Sequence, residues 1–426
     1  MRLIDKFIFI FLFAGLLFIS LNRHSRHPIF TYHSQIFADK AGYHIYFPAY
    51  FYYDMDAENL PDSIVQKTGT GFRLENKKII TKYPIGVAIC QAPFSLIASL
   101  LDSFLGIDNN YGFTENHHLA LNWATAIWGT IGLFLLFLSA VHYWNLSHMQ
   151  SYMLVLGILF LSNLLYYTTR DCGMSHAYSF TVFAGIQYLL LKILHNQNIK
   201  NLDFILILIL GSLLLVLRPL NSVFVIFPVS YILISQWSNF KKIVLDVNVW
   251  GWLLGFSLAS IPVFLQLGYN YYAYDKPIAD GYAGESFSNF GNLDLMKFWF
   301  SPNNGALLYS PILLLVFLAV IKQWRNNRII ALYLVYFLVI SFTYAGWWSP
   351  ELGCGFGHRG FTEHLAFFAL PISFILKSNS TNKLRIAQIF MLALAVLLFI
   401  SQFNFDGCWQ SDNDWDWELF MRSFKP

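Results

Sequence analysis

The sequence predicts an all-α fold, a polytopic transmembrane helical bundle of about eleven spans, and three observations lead there. Of its 426 residues, 56% are hydrophobic and only 12% charged, about half of the roughly 25% charged content usual in soluble domains. Apolar runs of about 17 to 25 residues recur between Ile4 and Ile400, each long enough to cross a hydrocarbon core of roughly 30 Å as a helix. Basic residues fall in alternate breaks between these runs. A water-soluble chain of this size has no means of hiding so much apolar surface, so a soluble enzyme is excluded. The formal charge of +3 implies no nucleic-acid partner, because charge in a membrane chain sorts by side rather than by sum.

The expected spans lie near 4–21, 119–143, 151–168, 176–194, 203–217, 221–236, 249–268, 305–321, 329–346, 363–376 and 386–402. The first is read as a retained span rather than a signal peptide, since Asn22, Arg23 and His24 follow it with no small-residue cleavage pattern. Lys200, then Lys241 and Lys242, then Lys322, Arg325 and Arg328, then Lys377, Lys383 and Arg385 occupy alternate breaks, which the positive-inside rule makes cytoplasmic together with Arg2 and Lys6. The other breaks then face outward: a long loop at 22–118, turns at 169–175 and 218–220, a loop at 269–304, the turn at 347–362 and the tail 403–426. Pro84 to Leu105 is apolar enough to pass for a span, but counting it would turn the basic loops outward. It is therefore expected to be an amphipathic or re-entrant helix on the outer surface. No repeat, low-complexity tract or separate soluble domain is evident, so residues 1–426 are expected to form one transmembrane domain.

Ionisable groups near membrane depth are costly and mark pathways or sites, and here they collect on the outward side. Asp39 follows the first span and precedes an aromatic run through Tyr43, Tyr46, Phe47 and Tyr50. It is either a general base or the N-cap of a helix beginning at Lys40. Lys82 precedes Pro84, which is suited to a first helical turn; a cation there is disfavoured unless an anion binds between it and the free amides, so Lys82 is a phosphate candidate or an interfacial lysine among headgroups. Arg170 (beside Asp171), Arg218 and Arg359 are predicted at the same boundary. Singly each reads as an anchor; together they suit a phosphate or diphosphate, which guanidinium grips bidentately. Gly353, Gly355 and Gly357, before His358 and Arg359, permit close backbone approach to a ligand. Trp347 and Trp348 either belong to the interfacial aromatic belt or stack on sugar rings. No metal-ligand spacing is found in His117–His118, in Asp54 and Asp56, or among the four cysteines, so no metal and no cofactor is expected. All four cysteines fall outside the cytoplasm in this topology, which permits a Cys354–Cys408 disulfide.

The order of these elements resembles the GT-C superfamily of membrane glycosyltransferases, in particular the bacterial branch related to protein O-mannosyltransferases and the aminoarabinose transferases of lipid A. Four features carry the likeness: an acidic first loop (Asp39), a Lys-Pro-type motif (Lys82-Tyr83-Pro84) before a surface helix, a charged second outer turn (Arg170-Asp171), and a Trp- and Gly-rich turn (Trp347 to Arg359) before a span containing Pro371. The chain departs from the family pattern in having Asp39-Lys40 where many members carry two acidic residues, and Tyr83 where a second proline is familiar. The resemblance implies an inverting sugar transfer from a polyprenyl-phosphate donor to a glycan, lipid or protein acceptor, in a bacterial inner membrane with the active site extracytoplasmic. It implies Asp39 as catalytic base, Lys82, Arg170, Arg218 and Arg359 as donor-phosphate ligands, and Asp171, His176, His358 and Tyr43 in support. Two other classes stay open: a transporter or flippase for a lipid-linked glycan, and a scaffold whose outer charges are anchors.

Overall fold

The computed structural model describes residues 2–107, 111–196, 200–238, 247–279, 281–282, 284–377 and 381–425, and side chains of all but 381–387 among them. Lys241 and Lys242, and the side chains of Lys383 and Arg385, lie outside what is described. A helix occupies each of the eleven stretches expected to cross a membrane, five of them long and apolar enough to do so unbroken. The first is α1 (Leu3–His24). The loop after it carries α2 (Asp39–His44), α3 (Tyr46–Phe51), α4 (Asp62–Lys67), the strands β1 (Arg73–Glu75) and β2 (Lys78–Ile80), and α5 (Gly86–Leu105). The bundle continues with α6 (Glu115–His142), α7 (His148–Phe160), α8 (Leu164–Thr169), α9 (Ser175–Asn196), α10 (Asn201–Leu217), α11 (Pro219–Phe224), α12 (Ile226–Ser235) and α13 (Val249–Tyr274). It ends with α14 (Leu295–Phe300), α15 (Ala306–Tyr309), α16 (Leu314–Gln323), α17 (Ala331–Ala345), α18 (Leu365–Lys377), α19 (Thr381–Asn404) and α20 (Trp417–Arg422).

Polar contacts define the two ends of the bundle. At one, the buried Asp5 of α1 accepts from Tyr152 at 2.5 Å and meets His148 at 3.1 Å, while Gln150 donates to the Leu376 carbonyl at 2.9 Å. At the other, Ser20 of α1 donates to the Thr169 carbonyl at 2.7 Å, His24 meets the Arg170 carbonyl at 3.0 Å, and Arg23 donates to Phe403 O at 2.7 Å. Between the ends, small residues let helices approach. A Cβ on Gly132 would lie 2.8 Å from Phe180 and Thr181 of α9, and one on Gly185 2.8 Å from Leu210 of α10.

Two expected helices are broken near the His24 end. The run 151–168 divides into α7 and α8 at Leu161 to Asn163, where Ser162 turns its hydroxyl back to the Ile158 carbonyl at 2.5 Å. The run 305–321 is interrupted at Ser310–Pro311, because proline supplies no amide and biases the residue before it away from the helix.

The expected surface helix is α5, which starts at Gly86 rather than at Pro84. Its 20 residues are long and apolar enough to cross a membrane, yet its contacts confine it to one end. Trp128 of α6 donates to the Cys90 carbonyl at 3.3 Å, and Ser99 meets His117 at 3.2 Å, so α5 runs antiparallel along the first half of α6 only. Phe9 of α1, by contrast, packs on Phe134 and Phe137 in the second half of α6, beyond the reach of α5. The far half of α5 exposes Leu96, Ile97, Leu100, Leu101, Phe104 and Leu105, as suits a helix lying against an apolar medium.

The rest of the loop packs over the His24 end around Ile36, Ile64, Ile79 and Phe113, all essentially buried. Its β-hairpin is an addition to the all-α expectation. Arg73 pairs with Ile80 and Glu75 with Lys78, and the two turn residues, Asn76 and Lys77, both have positive φ (50° and 62°), which is a type I′ turn. The hairpin hangs on the last turns of α13, where the Tyr269 hydroxyl accepts from the Thr81 amide at 2.7 Å and the Tyr272 hydroxyl from the Ile79 amide at 2.8 Å. Helix α13 therefore continues to Tyr274, past the expected end at 268.

Cys354 and Cys408 form a disulfide, the pairing the topology permitted, which ties the turn before α18 to the tail. Cys90 and Cys172 are buried thiols. The bridge closes a loop of 54 residues, for which chain entropy gives a stabilisation of about 4 kcal/mol. Replacing both partners (C354S and C408S) is expected to lower the thermal midpoint in detergent by about 3 °C or more, and a reducing agent should do the same to the unaltered chain and nothing further to the double variant. Equal midpoints, followed by intrinsic fluorescence or light scattering, would show that the bridge carries no stability.

Candidate active site

Asp39 is aimed by backbone strain and held by two side chains. Ala38 before it has φ +48°, a conformation costly for a residue with a Cβ, and is pinned by its amide donating to the Thr68 carbonyl at 2.8 Å. Asp39 begins α2, but Ala38 is in the cap position and no side chain caps the helix, so the N-cap reading of Asp39 does not apply. Its carboxylate instead accepts from the Tyr83 hydroxyl at 2.5 Å and from Arg359 Nη1 at 3.3 Å. Tyr83 reaches it because Gly42 of α2 has no side chain: a Cβ there would lie 2.3 Å from the Tyr83 ring. Burial pushes the Asp39 pKa up, but the Arg359 charge, the Tyr83 hydroxyl and the Lys82 charge outweigh it and hold the carboxyl below its ordinary value. The 36% of the side chain left exposed faces cavities on either side of it.

The larger cavity, about 590 Å³, brings together Asp39, Tyr43, Lys82, His176, Arg218 and Arg359. Arg218 stands at the break between α10 and α11, extended at φ −153° ahead of Pro219, which keeps the preceding residue out of the helix. Its Nη1 donates to Glu363 at 2.8 Å and its Nη2 to the Tyr344 hydroxyl at 3.2 Å. Glu363 has no exposed surface and also receives Asn221 at 2.8 Å and His176 at 2.9 Å, so the carboxylate is fully partnered. Lys82 is ion-paired with Glu285, and its ammonium lies 5.1 Å from the Tyr282 ring centroid. The first amides of α5 are not all free for an anion, since Ile85 donates to Gln266 at 2.7 Å. Trp347 lines the same cavity while Trp348 is 52% exposed, which separates two neighbours that the sequence left alike.

Arg170, Asp171 and His358 lie elsewhere. Arg170 and Asp171 line a second cavity of about 250 Å³, which shares Asp39 and Arg359 with the first. Asp171 is bound to Lys40 at 3.1 Å. His358 is buried with its Nε2 on the Pro350 carbonyl at 3.0 Å and its ring against Phe298; burial lowers its pKa to about 3, so it is neutral and faces away from both. The glycine-spaced turn also serves a different end from the one expected. Gly353, Gly355 and Gly357 do take positive φ, but the last two make room for protein side chains, since a Cβ would lie 2.4 Å from the Tyr167 hydroxyl and 2.3 Å from Tyr309 respectively. Asn304 holds the turn, donating to Gly353 O at 2.8 Å and accepting from the Gly357 amide at 3.1 Å, and so places Arg359.

Sequence reasoning missed Glu363, Glu285 and the part played by Tyr83. Glu363 had a usable signal, a carboxylate opening an apolar run, which is costly unless paired. Glu285 had none. Removing Arg218 alone strands Glu363 without its strongest partner, which costs about 3–5 kcal/mol. Arg218→Ala is therefore expected to unfold well below the unaltered chain, and addition of Glu363→Gln to recover part of the loss; a double variant no more stable than Arg218→Ala would contradict the pairing.

No protein-family model and no curated protein matches the chain. Two solved structures do match in fold, both of ArnT from Cupriavidus metallidurans. One is bound to undecaprenyl phosphate, with a TM-score of 0.54 and 11% identity, and the other is in the apo state, with a TM-score of 0.54 and 12% identity. Each covers 94% of this chain, and this chain spans 65% of theirs. The expected fold is thus found: the chain has the polytopic, helical membrane fold seen in ArnT.

Proposed function

We propose that the protein is an inverting glycosyltransferase that moves a sugar from a polyprenyl-phosphate donor to an acceptor on the extracytoplasmic side of a bacterial inner membrane. The observation that carries this reading is the convergence of Asp39 with three cations, Lys82, Arg218 and Arg359, in one cavity, whose other carboxylate, Glu285, is paired with Lys82. The cavity also opens on an apolar flank: Leu215, which is 46% exposed, and Pro219 belong both to its lining and to the outer surface of α10 and α11. A phosphate lodged among the cations can extend its isoprenoid chain along that flank into lipid. The basic breaks expected from the sequence, with Lys200, Lys322, Arg325, Arg328 and Lys377 among their described residues, support this side of the membrane. The ArnT structure with undecaprenyl phosphate supports the class of carrier.

In this reaction an acceptor oxygen attacks the anomeric carbon from the face opposite the phosphate, the bond from that carbon to the phosphate oxygen breaks, and the polyprenyl phosphate leaves with the electron pair. The acceptor proton passes to Asp39. A carboxylate with a lowered pKa is a weak base, so it takes the proton only as bond formation makes the hydroxyl acidic. Tyr83 and Arg359 fix its orientation. Arg218, itself fixed by Glu363, stands with Lys82 where negative charge develops on the leaving phosphate, which is the use of preorganised cations that lowers a barrier most. Lys82 exchanges Glu285 for phosphate. These cations supply the neutralisation, and the reading assigns no metal and no cofactor.

A flippase would need polar groups leading through the bundle, whereas the partnered charges around the cavity all lie at the His24 end. Asp39→Asn keeps the size of the side chain and removes its charge. It is expected to leave insertion and undecaprenyl phosphate binding intact while lowering transfer by about 10²-fold or more, measured with lipid-linked sugars extracted from the same cells. Transfer at an unaltered rate would remove Asp39 from the reaction.

A further inference from the structure

The second cavity has walls unlike those of the first. It lies on the other side of Asp39 and Arg359, and its own lining includes Lys40, Arg170, Asp171 and His33. Its rim is built from loops, with Tyr32, Gly353 and Cys354 exposed and Asp406, 75% exposed, standing beside it; no exposed helix flank contributes. An acceptor reaching Asp39 by this route comes from water, not along an isoprenoid path.

Arg170 gives the cavity its chemistry. The residue is 9% exposed, and among the described residues its Nη1 has no hydrogen-bond partner. Its Nη2 has only long contacts, 3.8 Å to the exposed Asp406 and 3.4 Å to His33. A buried guanidinium with an idle donor is costly until an anion fills the place. Lys40 offers no competing site, because Asp171 already holds it at 3.1 Å. Tyr32, Phe37 and Tyr166 line the same wall; Tyr166 is buried between Phe356 and the Arg170 guanidinium, and the exposed Tyr32 offers the ring on which a pyranose can stack.

We propose that this cavity is the acceptor subsite and that it takes an acidic sugar residue of a water-borne glycan, its carboxylate or phosphate on Arg170 and a hydroxyl at Asp39. The proposal rests on the transferase reading. The acceptor hydroxyl forms the new bond to the anomeric carbon, its proton goes to Asp39, and the carrier phosphate leaves into the first cavity with the electron pair.

The test uses membranes carrying the full chain, loaded with the radiolabelled polyprenyl-linked sugars of the same cells. Oligogalacturonate or a neutral maltooligosaccharide of equal length serves as competitor, and binding of undecaprenyl phosphate is measured in parallel. Label is expected in a water-soluble product, with oligogalacturonate inhibiting about tenfold more strongly than the neutral oligomer, the worth of one charge-assisted hydrogen bond. Arg170→Gln should abolish that preference and raise the acceptor KM by a similar factor, Arg170→Lys should restore most of it, and both should bind undecaprenyl phosphate within about twofold of the unaltered chain. Label in a lipid-soluble product, or a preference unchanged in Arg170→Gln, overturns the proposal while leaving the transferase standing. An unaltered chain that binds no undecaprenyl phosphate and transfers no sugar overturns the transferase reading first, and this subsite with it.

Discussion

Charges at the end of an apolar bundle must find one another, and the account turns on one such meeting, between Asp39 and Arg359. The two lie 320 residues apart, one in the first loop and one in the turn before α18, and each is fixed from its own side. Tyr83 and the strained Ala38 set the carboxylate; Asn304 and the Cys354–Cys408 bridge set the turn that carries the guanidinium. The pair forms the shared wall of two cavities, so every group proposed to touch donor or acceptor is positioned with respect to it. A neighbouring cluster repeats the logic at greater depth: Glu363, which has no exposed surface, neutralises Arg218 and orients His176.

Such clusters are affordable in a membrane protein only where the partners are complete. Burial of a lone carboxylate or guanidinium costs several kcal/mol, and the remedy is an opposite charge together with hydrogen bonds to the remaining lone pairs. Glu363 satisfies this with three donors. Arg170 does not, and Lys82 is held by Glu285 at a partly exposed site on the cavity wall. Glu363 therefore reads as scaffold, and the idle donor of Arg170 as a place reserved for a ligand.

The bundle was legible because bilayer thickness imposes a run length, and the basic breaks assigned α5 to one end where hydropathy alone would have made it a span. The candidate site was legible in its charges. Asp39, Lys82, Arg218, Arg359, His176 and Tyr43 share a cavity because charge at the edge of apolar helices has few other uses. What escaped depends on three-dimensional partners. Nothing in the spacing of Asp39 separates a helix cap from a residue held by Tyr83, and nothing in Gly355 or Gly357 tells a ligand from the rings of Tyr167 and Tyr309. The hairpin escaped because Asn76-Lys77 lacks the glycine that usually marks a type I′ turn. His358 was grouped with Arg359 by adjacency, but in a 3₁₀ turn neighbouring side chains diverge, and it points to Phe298 instead.

The central claim is that the large cavity holds the phosphate of a polyprenyl carrier beside Asp39. A structure of the full chain with undecaprenyl phosphate bound, determined by cryo-electron microscopy in a lipid nanodisc, tests it most directly. The account predicts the phosphate within about 3 Å of Arg218 and Lys82, on the same side of Asp39 as Tyr43, with the isoprenoid chain leaving past Leu215 and Pro219. A phosphate bound at the bundle perimeter, with the cavity empty, would contradict it.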